Sequence, residues 1–443
     1  MTGRALDGAA AITAVATGAA SVSSVVADCL DRVGERDEEI GAFRVIDEQA
    51  VRSTAKQLDD RAGGLLRGLV VGVKDVIDTA DLPTAYGSPL FDGHQPVADA
   101  AVVAALRRAG ALVLGKTEST EFAMFQPTRT RNPANPGRTP GGSSSGSAAA
   151  VAAGMVPVAL GTQTAGSVVR PAAYCGIYGF KPSKGWTSTE GVWRLSEELD
   201  TIGLFARRAA DLLVAYRALQ GQTAAARTPL AAWGGTSPGN SPLAGTRNVP
   251  AVAVLGGEEW GPCDQDIRDA IRFTADRLAT AGWQVREMAM PAAWRHLPDH
   301  HAVVMAVEVA RNLHGALSGR VGQISESAQA VVERGDRCTA SEYLGALDAR
   351  EEARKVLAPL SVGADLLLTP SALGVAPEGL AFTGDPVMCR AWTLLGLPAA
   401  NVPAFRRRDG LPVGVQLVGL GTDDLSFLTH LASAEAVLTH KEN

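Results

Sequence analysis

Residues 141–185 read GGSSSGSAAAVAAGMVPVALGTQTAGSVVRPAAYCGIYGFKPSKG, and the fold follows from this stretch. Two glycines and three serines open an alanine-rich segment that ends near Gly154, and the apolar run through Val158 and Leu160 comes next. That order predicts a small-residue helix feeding a short buried strand, then a polar turn over Thr162–Ser167. Just upstream, residues 126–147 are rich in Pro, Gly, Ser and Thr, with almost no apolar content. So long a loop within a compact domain is uncommon unless it carries function.

Working outward, the same alternation recurs. In GLVVGVKD, Leu69–Val73 is predicted as a buried strand with Lys74 and Asp75 at its end. Residues 99–109 are predicted as a helix stopped by Gly110, and 111–114 as the next strand. Residues 23–60 hold two helical stretches. After a Pro/Gly/Ala/Ser-rich connection at 221–250 come VPAVAVLGG (strand), DQDIRDAIRFTADRLATAG (helix) and WQVREM (strand). The C-terminal part adds strands in ADLLLTP, LLGLPAANVPAF and GLPVGVQLVG. This is an α/β pattern. It is expected as one domain over 1–443, with 221–330 as a less regular excursion within it.

Composition excludes several classes. Hydrophobic residues are 46% and charged residues 20% of the 443, enough for a large core. The net charge of −6 and the lack of a basic face argue against nucleic-acid binding; Arg406–Arg408 is read as a solvated loop. No apolar run approaches the length needed to cross a membrane. The five cysteines are scattered without CxxC spacing, which disfavours a disulfide framework or zinc site and fits a reducing cytoplasm. His300-His301 lacks metal-ligand spacing and is read as surface. No metal and no cofactor is expected.

The candidate chemistry is nucleophilic. A serine hydroxyl attacks only when a base takes its proton, and no histidine lies near either glycine-serine segment. Lys74, at the end of an apolar strand, is an alternative base, since burial favours the neutral amine. Each residue also has a plainer reading. Ser143 could be a cap or linker serine, and Lys74 an ion-paired surface lysine.

The assembly of GVKD, GGSSSGSAAAVAAG and GTQTAGSVVRPAAYCGIYGFKP, with LGKTESTEFAM, TRNPANPGRTPGG and the late GLPAANVP and GLPVGVQLVG in order, resembles the amidase signature family across nearly the whole chain. The resemblance implies a large mixed sheet flanked by many helices. It implies Lys74 as terminal base, Ser143 as bridging serine in a cis peptide, and Ser167, 24 residues on, as nucleophile. Ser144 would support the network. The backbone N–H groups of Thr164, Ala165, Gly166 and Ser167 would hold the oxyanion.

Two departures from the common family pattern stand out. Gln163 replaces an aspartate, and Val169 stands where arginine is frequent, with Arg170 one place later. In this the chain resembles the malonamidase and allophanate hydrolase branch. Arg170 would then bind a substrate carboxylate, with Gln163 also facing substrate; alternatively, Arg170 only pins the loop by bonding backbone carbonyls. Met124–Gln126, the 371–384 segment and Trp392 are further candidates to line the pocket. Tyr174 and Cys175 are read as packing.

The expected reaction is hydrolysis of a small amide or ureido substrate. Competing readings are a general aliphatic or aryl amidase, an amidotransferase A-type subunit feeding ammonia to a partner, and a binding protein without activity. A homodimer is implied by the resemblance alone, and a helper subunit stays open.

Overall fold

The apolar runs and amphipathic segments resolve, in a computed structural model, into one mixed sheet covered by helices. The structure describes residues 7–61, 63–222, 249–256 and 261–439. The strands are β1 (Phe43–Val45), β2 (Val70–Lys74), β3 (Leu112–Thr117), β4 (Val158–Gln163), β5 (Tyr178–Lys181) and β6 (Thr201–Ala206). They continue with β7 (Ala251–Leu255), β8 (Gln284–Met288), β9 (Leu366–Pro370), β10 (Ala399–Arg406) and β11 (Pro412–Gly419). Their order is β1-β3-β2-β4-β6-β5-β10-β11-β9-β7-β8.

Sequence pattern and position agree. β2, β4, β6 and β11 are buried along their whole length, as continuous Val/Ile/Leu/Ala/Gly runs covered on both faces should be. β8, at the sheet edge, keeps the polar alternation of QVREM. β2 runs parallel to both β3 and β4, with Val73 opposite Leu160. Lys74 and Thr162 therefore leave neighbouring strands at the same, carboxyl, edge, where sites of open α/β sheets form.

Within 221–330, where a less regular excursion is expected, residues 221–222, 249–256 and 261–330 are described. Residues 249–330 contribute β7, β8 and the helices Gln265–Thr280 and Leu297–Leu317, and both strands join the same sheet as β2 and β4. The 223–248 part of that expectation lies outside the described residues. All five cysteines are free thiols. Among the described residues no helix is long and apolar enough to cross a membrane.

Candidate active site

The Gly/Ser-rich segment is neither linker nor simple cap. Ser143, Ser144 and Ser145 are all buried. The helix begins at Ser145, and the Gly142–Ser143 peptide is cis. Ser145 Oγ donates to the Gly141 carbonyl at 2.7 Å, and Ser147 Oγ to that of Leu160 at 2.8 Å. Ser144 Oγ lies 3.3 Å from the carbonyl and 3.4 Å from the N–H of Thr162, holding that residue by both its backbone groups. Gly161 makes the approach possible: a Cβ there would sit 2.8 Å from Ser144 Oγ and 2.5 Å from Phe205 Cε2.

Thr162 completes the environment of the lysine. Lys74 Nζ is 2.7 Å from Ser143 Oγ and 2.8 Å from Thr162 Oγ1. The side chain is wholly buried, and burial drives its pKa well below the usual lysine range, opposed only by the charge of Asp200. Two other buried lysines each donate to a backbone carbonyl, Lys116 to that of Ile77 and also to the Thr84 hydroxyl, and Lys181 to that of Pro182. The hydroxyl of Ser143 can also donate, so a neutral Lys74 has a proton to take from it.

After β4 the chain turns through Thr164–Ser167. Ser167 is 8% exposed, the rest of the loop is buried, and the N–H groups of Ala165, Gly166 and Ser167 meet no acceptor among the described residues. Such a row of free donors is the ingredient of an oxyanion site. Gly166 lies so close to Pro386 and Cys389 that a Cβ would reach 3.0 and 3.2 Å from theirs. No hydrogen bond joins Ser143 to Ser167, so the relay contact expected between them is not made in this structure.

Arg170 is fully buried and no acid pairs with it among the described residues. Its Nη2 donates to the Gly142 carbonyl at 2.6 Å, while Nε and Nη1 have no partner. Gln163, expected to face substrate, is engaged at both ends within the protein. Its carbonyl accepts from Val168 and Val169 N–H at 2.8 and 3.1 Å, and its amide donates to Thr393 Oγ1 at 3.0 Å. Met124 is buried, Thr383 from the late segment packs on Gly142, and Trp392 is buried edge-on to Trp294.

Four polar residues were missed by sequence reasoning. They are Thr162, Asp200, His301 and Thr393. Asp200 accepts from Thr164 Oγ1 at 2.6 Å and shares a small cavity with Thr162, Thr164, Ala123 and Trp193. Ala123 and its neighbour Phe122 both take left-handed φ values, 58° and 48°, the kind of local strain that concentrates at functional sites. His301 is a correction: read as surface, it is fully buried, and its Nε2 lies 2.8 Å from the Thr164 carbonyl. A signal was available. Leu297, His301, Val304, Met305 and Glu308 form the buried stripe of one helix, so the histidine stands on an apolar face.

A buried lysine–serine pair and a serine whose loop carries free backbone donors, at the carboxyl edge of an α/β sheet, fit an amide-cleaving hydrolase. Comparison with known proteins agrees: residues 24–428 match the Amidase family, and the chain belongs to it. It is 35% identical over 463 residues to the A-type subunit of glutamyl-tRNA(Gln) amidotransferase from Thermus thermophilus, covering 95% of each chain. Among solved structures, one described as a crystal structure of amidase has a TM-score of 0.85 at 29% identity, over 98% of this chain and 100% of that one. The corresponding amidotransferase chain from Thermotoga maritima has a TM-score of 0.71 at 26% identity, over 94% of this chain and 89% of that one.

Proposed function

We propose that this chain hydrolyses a small, carboxylate-bearing amide or ureido substrate through an acyl-enzyme on Ser167. Neutral Lys74 takes the proton of Ser143, which takes that of Ser167. Ser167 Oγ attacks the carbonyl carbon, and the oxyanion is held by N–H groups of Thr164–Ser167. The proton returns through Ser143 to the leaving nitrogen, the C–N bond breaks, and water releases the acid from Ser167. The observation that carries this reading is the wholly buried Lys74 Nζ at 2.7 Å from Ser143 Oγ. The unpartnered Nε and Nη1 of Arg170 support a carboxylate on the substrate. Five free thiols support action in a reducing compartment such as the cytoplasm.

A fluorophosphonate tests the nucleophile. It should label wild type to one equivalent and leave Ser167→Ala unlabelled; an unlabelled wild type refutes the proposal. A second reading, in which the chain produces ammonia for a partner protein, is favoured by the amidotransferase relative. The higher TM-score to the amidase, 0.85 against 0.71, supports the hydrolase reading instead. Ammonia release by the purified chain alone separates the two.

A further inference from the structure

The loop that would bind the oxyanion is held by its carbonyls, one restraint for each. In a trans peptide the C=O of one residue and the N–H of the next point in opposite directions from one rigid plane. Fixing a carbonyl therefore aims the following N–H. The peptides from Thr164 to Ser167 are all trans. The Thr164 carbonyl is 2.8 Å from His301 Nε2, which sets the N–H of Ala165. The Ala165 carbonyl accepts from Thr393 Oγ1 at 2.8 Å, which sets the N–H of Gly166. The Gly166 carbonyl accepts from Arg170 N–H at 3.0 Å, which sets that of Ser167. All three N–H groups so aimed meet no acceptor among the described residues.

Two of these restraints are side chains from the distant C-terminal half. His301 belongs to the helix Leu297–Leu317 and Thr393 to the helix Val387–Leu394, and these helices pack against each other. We propose that His301 and Thr393 are positioning residues of the oxyanion site, orienting the N–H groups of Ala165 and Gly166 through the preceding carbonyls. This rests on the Ser167 reading above.

The chemistry of both residues suits the task. Burial pushes the His301 ring down to about 3, helped by the nearby Arg390 charge, so the ring stays neutral with its proton on the nitrogen that faces the carbonyl. The Thr393 hydroxyl receives the Gln163 amide at 3.0 Å while its own proton points to carbonyls, Ala165 at 2.8 Å and Cys389 at 3.0 Å. Gln163, Thr393 and Ala165 thus form a chain of bonds that polarise one another. The same long helix also reaches the loop indirectly. Glu308, two turns after His301, accepts from Ser196, in the turn whose Asp200 holds the Thr164 hydroxyl.

The test compares Thr393→Val with Thr393→Ser and His301→Leu with His301→Gln. Ammonia release is measured on an amide that wild type turns over, and each kcat is divided by the fraction of sites titrated with fluorophosphonate. Thr393→Val and His301→Leu should lower kcat per labelled site by about 10- to 100-fold, less than the loss of a whole oxyanion donor. KM should stay within about threefold, and Thr393→Ser and His301→Gln should recover most of the rate, since each keeps a donor. A kcat per labelled site unchanged in Thr393→Val and His301→Leu overturns the proposal, as does a loss matched in KM. Dividing by labelled sites removes misfolded protein from the comparison, and Thr393→Val, near-equal in shape, keeps the test decisive should His301→Leu not fold. A wild type that takes no label instead refutes the nucleophile reading, and this inference with it.

Discussion

Arg170→Met separates a substrate-binding arginine from a structural one. The guanidinium is wholly buried, and only Nη2 is used within the protein, on the Gly142 carbonyl at 2.6 Å. Nε and Nη1 face no acceptor. If a substrate carboxylate fills that gap, two charge-assisted hydrogen bonds are lost in the variant, each worth about 1.5–3 kcal/mol. Their sum, about 3–6 kcal/mol, corresponds to a fall in kcat/KM of roughly 10²- to 10⁴-fold. A neutral amide of the same length makes no charge-assisted bond there, offering at most one uncharged carbonyl oxygen, and the freed Gly142 carbonyl affects both substrates alike. The ratio of the two kcat/KM values therefore isolates the carboxylate contact. The assay is ammonia release from a malonamate-like acid and from its neutral diamide, in wild type and variant. An equal loss for both substrates refutes carboxylate recognition and leaves Arg170 as a brace for the Gly142–Ser143 peptide.

Other consequences follow from the same geometry. Because Lys74 must be neutral to accept a proton, kcat/KM should rise with pH through its burial-lowered pKa and then level; a limb that falls with rising pH between 5 and 8 would count against it. The same depression means the unfolded chain binds more protons there, so this lysine makes stability rise as pH rises toward about 10.4. Lys74→Met should flatten the rise in denaturant midpoint between pH 7 and 10, with Lys116 and Lys181, lowered to about 8 and 7, still contributing in both proteins; identical slopes would contradict it. In Gly161→Ala the new Cβ meets Phe205 and Ser144, which should destabilise by about 1–3 kcal/mol, and an unchanged unfolding midpoint would show that the site yields. Asp200 is the one acid raising the Lys74 pKa, and Lys184 faces the same carboxyl, so Asp200→Asn should move the acidic limb to lower pH and reduce kcat. An unmoved limb would mean that Asp200 acts on Thr164 alone.

Local pattern made the framework legible. The strand expected at Leu69–Val73 is Val70–Lys74, and that expected at 111–114 is Leu112–Thr117, because buried strands are short apolar runs whose neighbours do not alter their signal. The helix after the serines begins at Ser145, ahead of the alanines, since the hydroxyls of Ser143, Ser144 and Ser147 are spent on tertiary contacts and the capping logic that would mark its start does not apply. Lys74, Ser143 and Ser167 were reachable only as a set, each having an ordinary meaning alone. Gln163 and His301 show the other limit. A glutamine next to a nucleophile invites a substrate role, and adjacent histidines invite a surface reading. What decides both is which groups lie across the fold.

That limit has a physical origin in the loop itself. A turn of small residues after β4 brings its backbone donors close to Ser167, the proposed nucleophile, yet by pointing them outward it leaves its carbonyls aimed into the protein. Buried carbonyls without partners are costly, and Ala165 and Gly166 have no polar side chains to bond them. The partners must come from elsewhere in the chain. Here Thr393 bonds the Ala165 carbonyl and His301 that of Thr164, both from helices far along the sequence, while the backbone N–H of Arg170, one turn on, bonds that of Gly166. The residues that would do chemistry, on β2, the serine segment and the loop after β4, therefore depend on elements beyond residue 290 for their geometry. This dependence gives a physical reason for the two halves to share one sheet: separated, the N-terminal half would keep its lysine and serines and lose the bonds that His301 and Thr393 make to the loop after β4.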